Sequence, residues 1–256
     1  MKQLMSLSTF LSKSTIFLAL YALAALLPLV FGESLETPSQ IAQLFLACGI
    51  AGIMAPLLSV NKAPYTSGAP STPPRIMAGI AALVAALVLE IAFYSSWFVI
   101  VSENTSGLVR IKHILFALPL ATALAFHFYY VIPFSADRYF RTKTSSALAA
   151  AAASGLLFGT VLFVKTGFAR IDLFLVMTGV GTLIAAGLRL TGRFFLMYPA
   201  LFLAVYTNSL AEQRYSDYSW PATIAGFLFC FGLMLLSFLV RLKSADPGDG
   251  VNPRKS

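Results

Sequence analysis

The chain has 256 residues, of which 58% are hydrophobic and 11% charged, with a formal net charge of +8 and a mean hydropathy of +0.82. A water-soluble domain needs roughly twice that share of charge to cover its surface, so a soluble enzyme or binding module is excluded. The pattern predicts an all-α fold, a polytopic transmembrane helical bundle with both termini cytoplasmic.

Crossing the ~30 Å hydrocarbon layer takes about 20 apolar residues in a helix. Eight runs approach or exceed that length: residues 14–31, 41–60, 76–101, 111–134, 145–164, 171–188, 194–210 and 221–242. Lipid offers backbone N–H and C=O groups no partners, so each run is expected to be helical. The strict apolar/polar alternation of a membrane β-barrel is missing. The first run follows a basic start but is span-length and lacks a small-residue cleavage site, so it reads as a span and not as a removed signal. Residues 61–75, rich in Pro, Ser and Thr, read as an extended connector. The seventh run is the weakest, with Pro199 inside it and Tyr206, Thr207 and Asn208 near its end. Residues 1–243 therefore form one transmembrane domain. Residues 244–256, with Pro247, Gly248, Gly250 and Pro253, are expected to form a disordered cytoplasmic tail.

Loop charges set the expected orientation. With the N-terminus inside, thirteen of the 18 Lys and Arg residues fall on the cytoplasmic side, including Lys2, Lys13, Arg138, Arg189 and Lys243. The outer five are Arg110, Lys112, Lys165, Arg170 and Arg214. Of the acids, Asp137, Asp246 and Asp249 lie inside, six lie outside, and Glu90 alone lies between. This asymmetry points to the plasma (inner) membrane and assigns the basic balance to anionic headgroups. The lipid bilayer is thus the expected partner, with no nucleic acid.

Glu90 is the sharpest candidate residue. It lies about 21 Å from the inner end of its run at 1.5 Å per residue, in the outer half of the bilayer. A carboxylate there is costly unless paired, protonated or hydrated. Tyr94 and Trp97 follow at i+4 and i+7 on the same face, and a proton or cation site fits the group. The two histidines, His113 and His127, are fourteen residues apart on one run, so they project from one face about 21 Å apart. That spacing resembles the haem ligands of b-type cytochromes. With two histidines in all, a bis-histidine haem cannot form within one subunit, so no cofactor is expected beyond a haem held by His113 or His127 with another ligand. His127 also counts as a binding candidate, beside Phe128, Tyr129 and Tyr130.

Residues 153–159, Ala-Ser-Gly-Leu-Leu-Phe-Gly, resemble the serine-bearing motif of rhomboid proteases. The resemblance implies a histidine on a later helix to activate the serine, and none follows His127. No zinc spacing, phosphate-binding loop or dinucleotide fingerprint occurs. Small residues instead mark packing faces: Gly155 and Gly159 after the alanine run 149–153, Gly179, Gly181 and Gly187, and Gly49 and Gly52. Cys48 and Cys230 fall inside runs as small packing residues. Asn104-Thr105-Ser106 is a glycosylation sequon.

These features favour a small transporter, permease or channel-like component with Glu90 as its proton or cation site. The alternatives are a non-catalytic structural or assembly subunit of a larger membrane complex, or a homo-oligomer, and then a membrane-embedded lipid or quinone enzyme.

Overall fold

Eight helices account for nearly all of the described chain, and no strand occurs among the described residues. The computed structural model describes residues 2–59, 72–104, 107–140, 142–165, 170–211 and 219–245. The helices are α1 (Lys2–Phe31), α2 (36–59), α3 (Pro73–Asn104), α4 (107–139), α5 (Lys143–Lys165), α6 (Ile171–Thr191), α7 (Phe194–Ala211) and α8 (Trp220–Ala245). All but α7 are long and apolar enough to cross a membrane. The apolar part of α7, Phe194–Leu210, rises about 26 Å at 1.5 Å per residue, a few Å less than the ~30 Å hydrocarbon layer.

Helix ends and apolar ends do not coincide. α1 begins at Lys2, well before residue 14, and α8 continues to Ala245, two residues into the segment expected to be disordered. A helix stops where its backbone is capped or turned, whereas apolarity marks only the part that suits lipid. The rest of that tail, most of the 61–75 connector, the sequon's Thr105 and Ser106, and Arg214 lie outside the described residues.

Two helices widen into π geometry, and each π stretch ends just before a proline. In α2 the π stretch is Ala42–Met54, and in α4 it is His127–Val131. Pro56 and Pro133 each follow the last π residue by two positions. A proline ring clashes with the carbonyl four residues back, here Gly52 and Tyr129, and donates no N–H. Widening the preceding turn to i→i+5 bonding moves that carbonyl aside. The N–H groups of Ala55 and Ile132 accordingly reach back five residues, to Ile50 and His127.

The contacts fix the relative directions of the helices: α2 and α8 run parallel, with Gln40 at Thr223 and Gly49 at Cys230. Gly79 on α3 meets Thr191 on α6 while Leu89 meets Gly179, so these two are antiparallel. Thr122 on α4 meets Tyr198 on α7, while His113 meets Ser209. Two left-handed glycines mark opposite ends of the bundle. Gly32, at φ 92°, turns the chain from α1 into a short 3-10 turn and α2. Gly192, at φ 65°, closes α6, its N–H donating to the Leu188 carbonyl at 2.7 Å. Glycine alone takes that conformation without steric cost.

α4 is the hub. It packs on α1, α2, α5, α7 and α8, and 78% of its membrane-length stretch is buried, against 22% for α3 and for α8. Its small residues Ala117, Ala121, Ala123 and Ala125 are all buried, which lets five neighbours approach one backbone. At the Gly192 end an ion pair ties the hub to α6: Arg189 donates to Asp137 at 3.0 Å, and Ser146 of α5 donates to the same carboxylate oxygen.

The small-residue faces lie between helices of this chain. A methyl group at Gly155 of α5 would lie 2.4 Å from the Thr178 carbonyl oxygen of α6, and one at Gly159 would lie 2.8 Å from that of Phe174. By contrast, a methyl at Gly179 would meet only Leu89, at an ordinary 3.6 Å. Gly155→Ala is therefore expected to destabilise the purified chain by about 1–3 kcal/mol through overpacking. Gly179→Ala should leave its thermal unfolding in detergent unchanged, and equal effects of the two would contradict this packing.

Candidate functional site

Buried polar side chains gather at the Gly32 end. Ser39, Gln40, Gln43, Glu90, Lys112, His113, Thr207, Asn208, Ser209 and Thr223 are all buried there. Five helices contribute them, and the polar run Thr207-Asn208-Ser209 of α7 is the junction.

Glu90 enters this cluster from α3 and is 2% exposed. Its Oε1 pairs with the Thr207 hydroxyl, and its buried Oε2 has no hydrogen-bond partner among the described residues. Thr207 carries one hydroxyl proton, yet its oxygen also lies 2.9 Å from the Leu203 carbonyl one turn back. When that proton goes to Leu203, Thr207 can only accept, and Glu90 must supply the donor as a carboxylic acid. When Glu90 is a carboxylate, Thr207 must turn its proton to it and release Leu203. The hydroxyl thus couples the charge of Glu90 to the backbone of α7.

One turn along α3, Tyr94 accepts a hydrogen bond at 2.8 Å from the Asn208 amide. The i, i+4 spacing of Glu90 and Tyr94 thus lays both onto consecutive residues of α7. Ser209, turned away from Asn208 by the helix period, meets Nδ1 of His113 on α4 at 2.8 Å. Next to His113 on α4, Lys112 is only 4% exposed, and its ammonium lies 5.7 Å from the centre of the Trp220 ring. Such a stacked cation is stabilised by the ring's negative face. On α8, three residues beyond Trp220, Thr223 accepts from the Gln40 amide of α2, and neighbouring Ser39 donates to the Ala24 carbonyl of α1. The belt therefore passes from α3 through α7, α4, α8 and α2 to α1. The amide oxygens of Gln40 and Gln43 are buried along it without a hydrogen-bond partner among the described residues.

Of the residues that the sequence pattern singles out, Glu90 and Tyr94 meet neighbouring residues of α7, Thr207 and Asn208. The side chain of Trp97 lies outside the described residues. His127 does not join them. It sits within the π turn of α4, stacked on Phe17 at 4.9 Å, with Nδ1 2.9 Å from the Ser14 hydroxyl of α1. Its buried Nε2 has no hydrogen-bond partner among the described residues. The sequence pattern groups Lys112 with the loop cations, and the structure buries it together with His113. Arg170 and Asp172 form an exposed ion pair at 2.5 Å, and Lys165 lies outside the described side chains. Among the described residues, no group of three His, Cys, Asp or Glu is placed to hold a metal ion. The polar run that makes the seventh run weak is the signal that points to the rest of the belt. Comparison of the chain with protein-family models, with curated proteins and with solved structures gives no match.

Removing one partner from a buried pair leaves the other desolvated and unpaired, at about 1–3 kcal/mol. Thr207→Val is expected to destabilise the chain by that amount while Glu90 is present. In the background of Glu90→Leu the same substitution should cost little. Thermal unfolding of the four proteins in detergent gives the coupling directly, and additive effects would show that the pair does not interact.

Proposed function

We propose that the chain is a small multi-pass transporter or permease, crossing the membrane with eight helices and both termini cytoplasmic, in which Glu90 takes up and releases a proton. The observation that carries this reading is the unpartnered, buried Oε2 of Glu90 beside a hydroxyl that must change partners when the carboxyl changes charge. An intramembrane carboxyl in that setting is a functional site by default. His113 and Lys112 are buried in the same belt, and α7, short and carrying Pro199 inside it, is the element that Glu90 holds. Excess basic residues at the Gly192 end support the cytoplasmic assignment of that end.

The hydrogen bond to Thr207 also favours a second reading. In it Glu90 stays neutral and staples α3 to α7, within a non-catalytic subunit of a larger membrane complex. Reconstitution separates the two. The full chain in vesicles loaded with a pH-sensitive dye is expected to move protons when a substrate gradient is imposed, and Glu90→Gln, which keeps shape and hydrogen bonding, should abolish that flux. Flux unchanged in Glu90→Gln would rule out the proton role.

A further inference from the structure

α7 and α8 follow one another in the chain but lean on different neighbours, α7 on α3, α4 and α6, and α8 on α2 and α4. Between them, over α4, remains a cavity of about 240 Å³, room for roughly eight waters at about 30 Å³ each. Its walls are almost wholly apolar, with Pro119 of α4 and Cys230 of α8 buried at the floor and Phe231 exposed at the rim. Phe227 and Phe231 lie seven and eleven residues into α8, about 10–17 Å along its axis. The slot therefore opens sideways at mid-depth, where only hydrocarbon-soluble molecules arrive.

One polar pair lies in the wall. The Thr122 hydroxyl donates to the Leu118 carbonyl at 2.7 Å, and the Tyr198 phenol oxygen lies 3.0 Å from the Thr122 oxygen. Either oxygen can donate in this pair; in the arrangement where the Thr122 proton stays on Leu118, Thr122 accepts and Tyr198 donates to it. Tyr198 then has a lone pair to offer and no proton. Its ring is held by stacking on Phe194 at 5.8 Å. A lipid tail in the slot would leave that oxygen without a donor, whereas a hydroxyl would satisfy it.

We propose that the slot between α7 and α8 binds an apolar, membrane-dissolved molecule through a single hydroxyl, which donates to the phenol oxygen of Tyr198. The site lies apart from Glu90 and stands whether or not Glu90 carries protons. Chain alcohols and ring phenols share this chemistry, and both reach the slot from the bilayer.

The test uses the full chain in detergent micelles and a photoactivatable diazirine-bearing fatty alcohol, with its methyl ether as the non-donating control. Labelled peptides are mapped by mass spectrometry. The alcohol is expected to label residues around Leu118, Tyr198 and Phe231, exceeding the ether by about five-fold, the size of one net hydrogen bond. Tyr198→Phe should erase that preference while leaving labelling by the ether unchanged, and Leu118→Phe should reduce labelling by both as it fills the space. Competition by unlabelled farnesol would assign a chain alcohol, and competition by trimethylhydroquinone a ring phenol. Equal labelling by alcohol and ether, labels spread evenly over the outer face of α8, a preference that survives in Tyr198→Phe, or competition by neither compound would each overturn the proposal.

Discussion

Lipid cannot form hydrogen bonds, and the bundle is arranged around that constraint. Every polar side chain placed within its apolar runs must find a partner on its own helix backbone or on another helix, or remain unpaired at a cost. The chain concentrates these groups at one end, where Thr207, Asn208 and Ser209 of α7 receive Glu90 and Tyr94 from α3 and His113 from α4. Three consecutive polar residues point around a helix, so α7 is held on both sides at once. The same residues limit its apolar length. What makes α7 a poor membrane crossing makes it the junction of the polar belt.

Away from that belt, close approach of backbones replaces the hydrophobic drive, which cannot distinguish lipid from a neighbouring apolar helix. Gly155 and Gly159 bring α5 onto α6, Gly79 and Gly187 bring α3 onto α6, and Gly52 sets α2 against Ala123 of the hub. Each contact has no room for an added methyl, so dispersion acts at its shortest range. Their consequence is a closely packed frame, α3–α6–α5, to which α7 adds side-chain hydrogen bonds and aromatic stacking.

Proline shapes the two helices that meet at the hub. Pro56 and Pro133 follow the wider turns, and the turn in α4 carries His127 against Phe17 and Ser14 of α1. That placement separates the two histidines by role as well as by distance. His113 belongs to the polar belt, and His127 fills a packed junction of α1, α2 and α4.

Helical class, apolar runs and the singular position of Glu90 were legible in the chain itself, because run length and charge distribution are local properties that lipid reads directly. The shared face of Glu90 and Tyr94 followed from the helix period. The small-residue faces were visible as well, since glycine spacing on a helix is also local. Tertiary structure alone decided which faces meet, that Lys112 and His113 turn inward, and that Thr207 is the partner of Glu90. Residues 90 and 207 belong to different helices more than a hundred positions apart, and no periodicity along a chain specifies which helices become neighbours. The slot beside Tyr198 was equally invisible, because an empty volume exists only between elements after they pack.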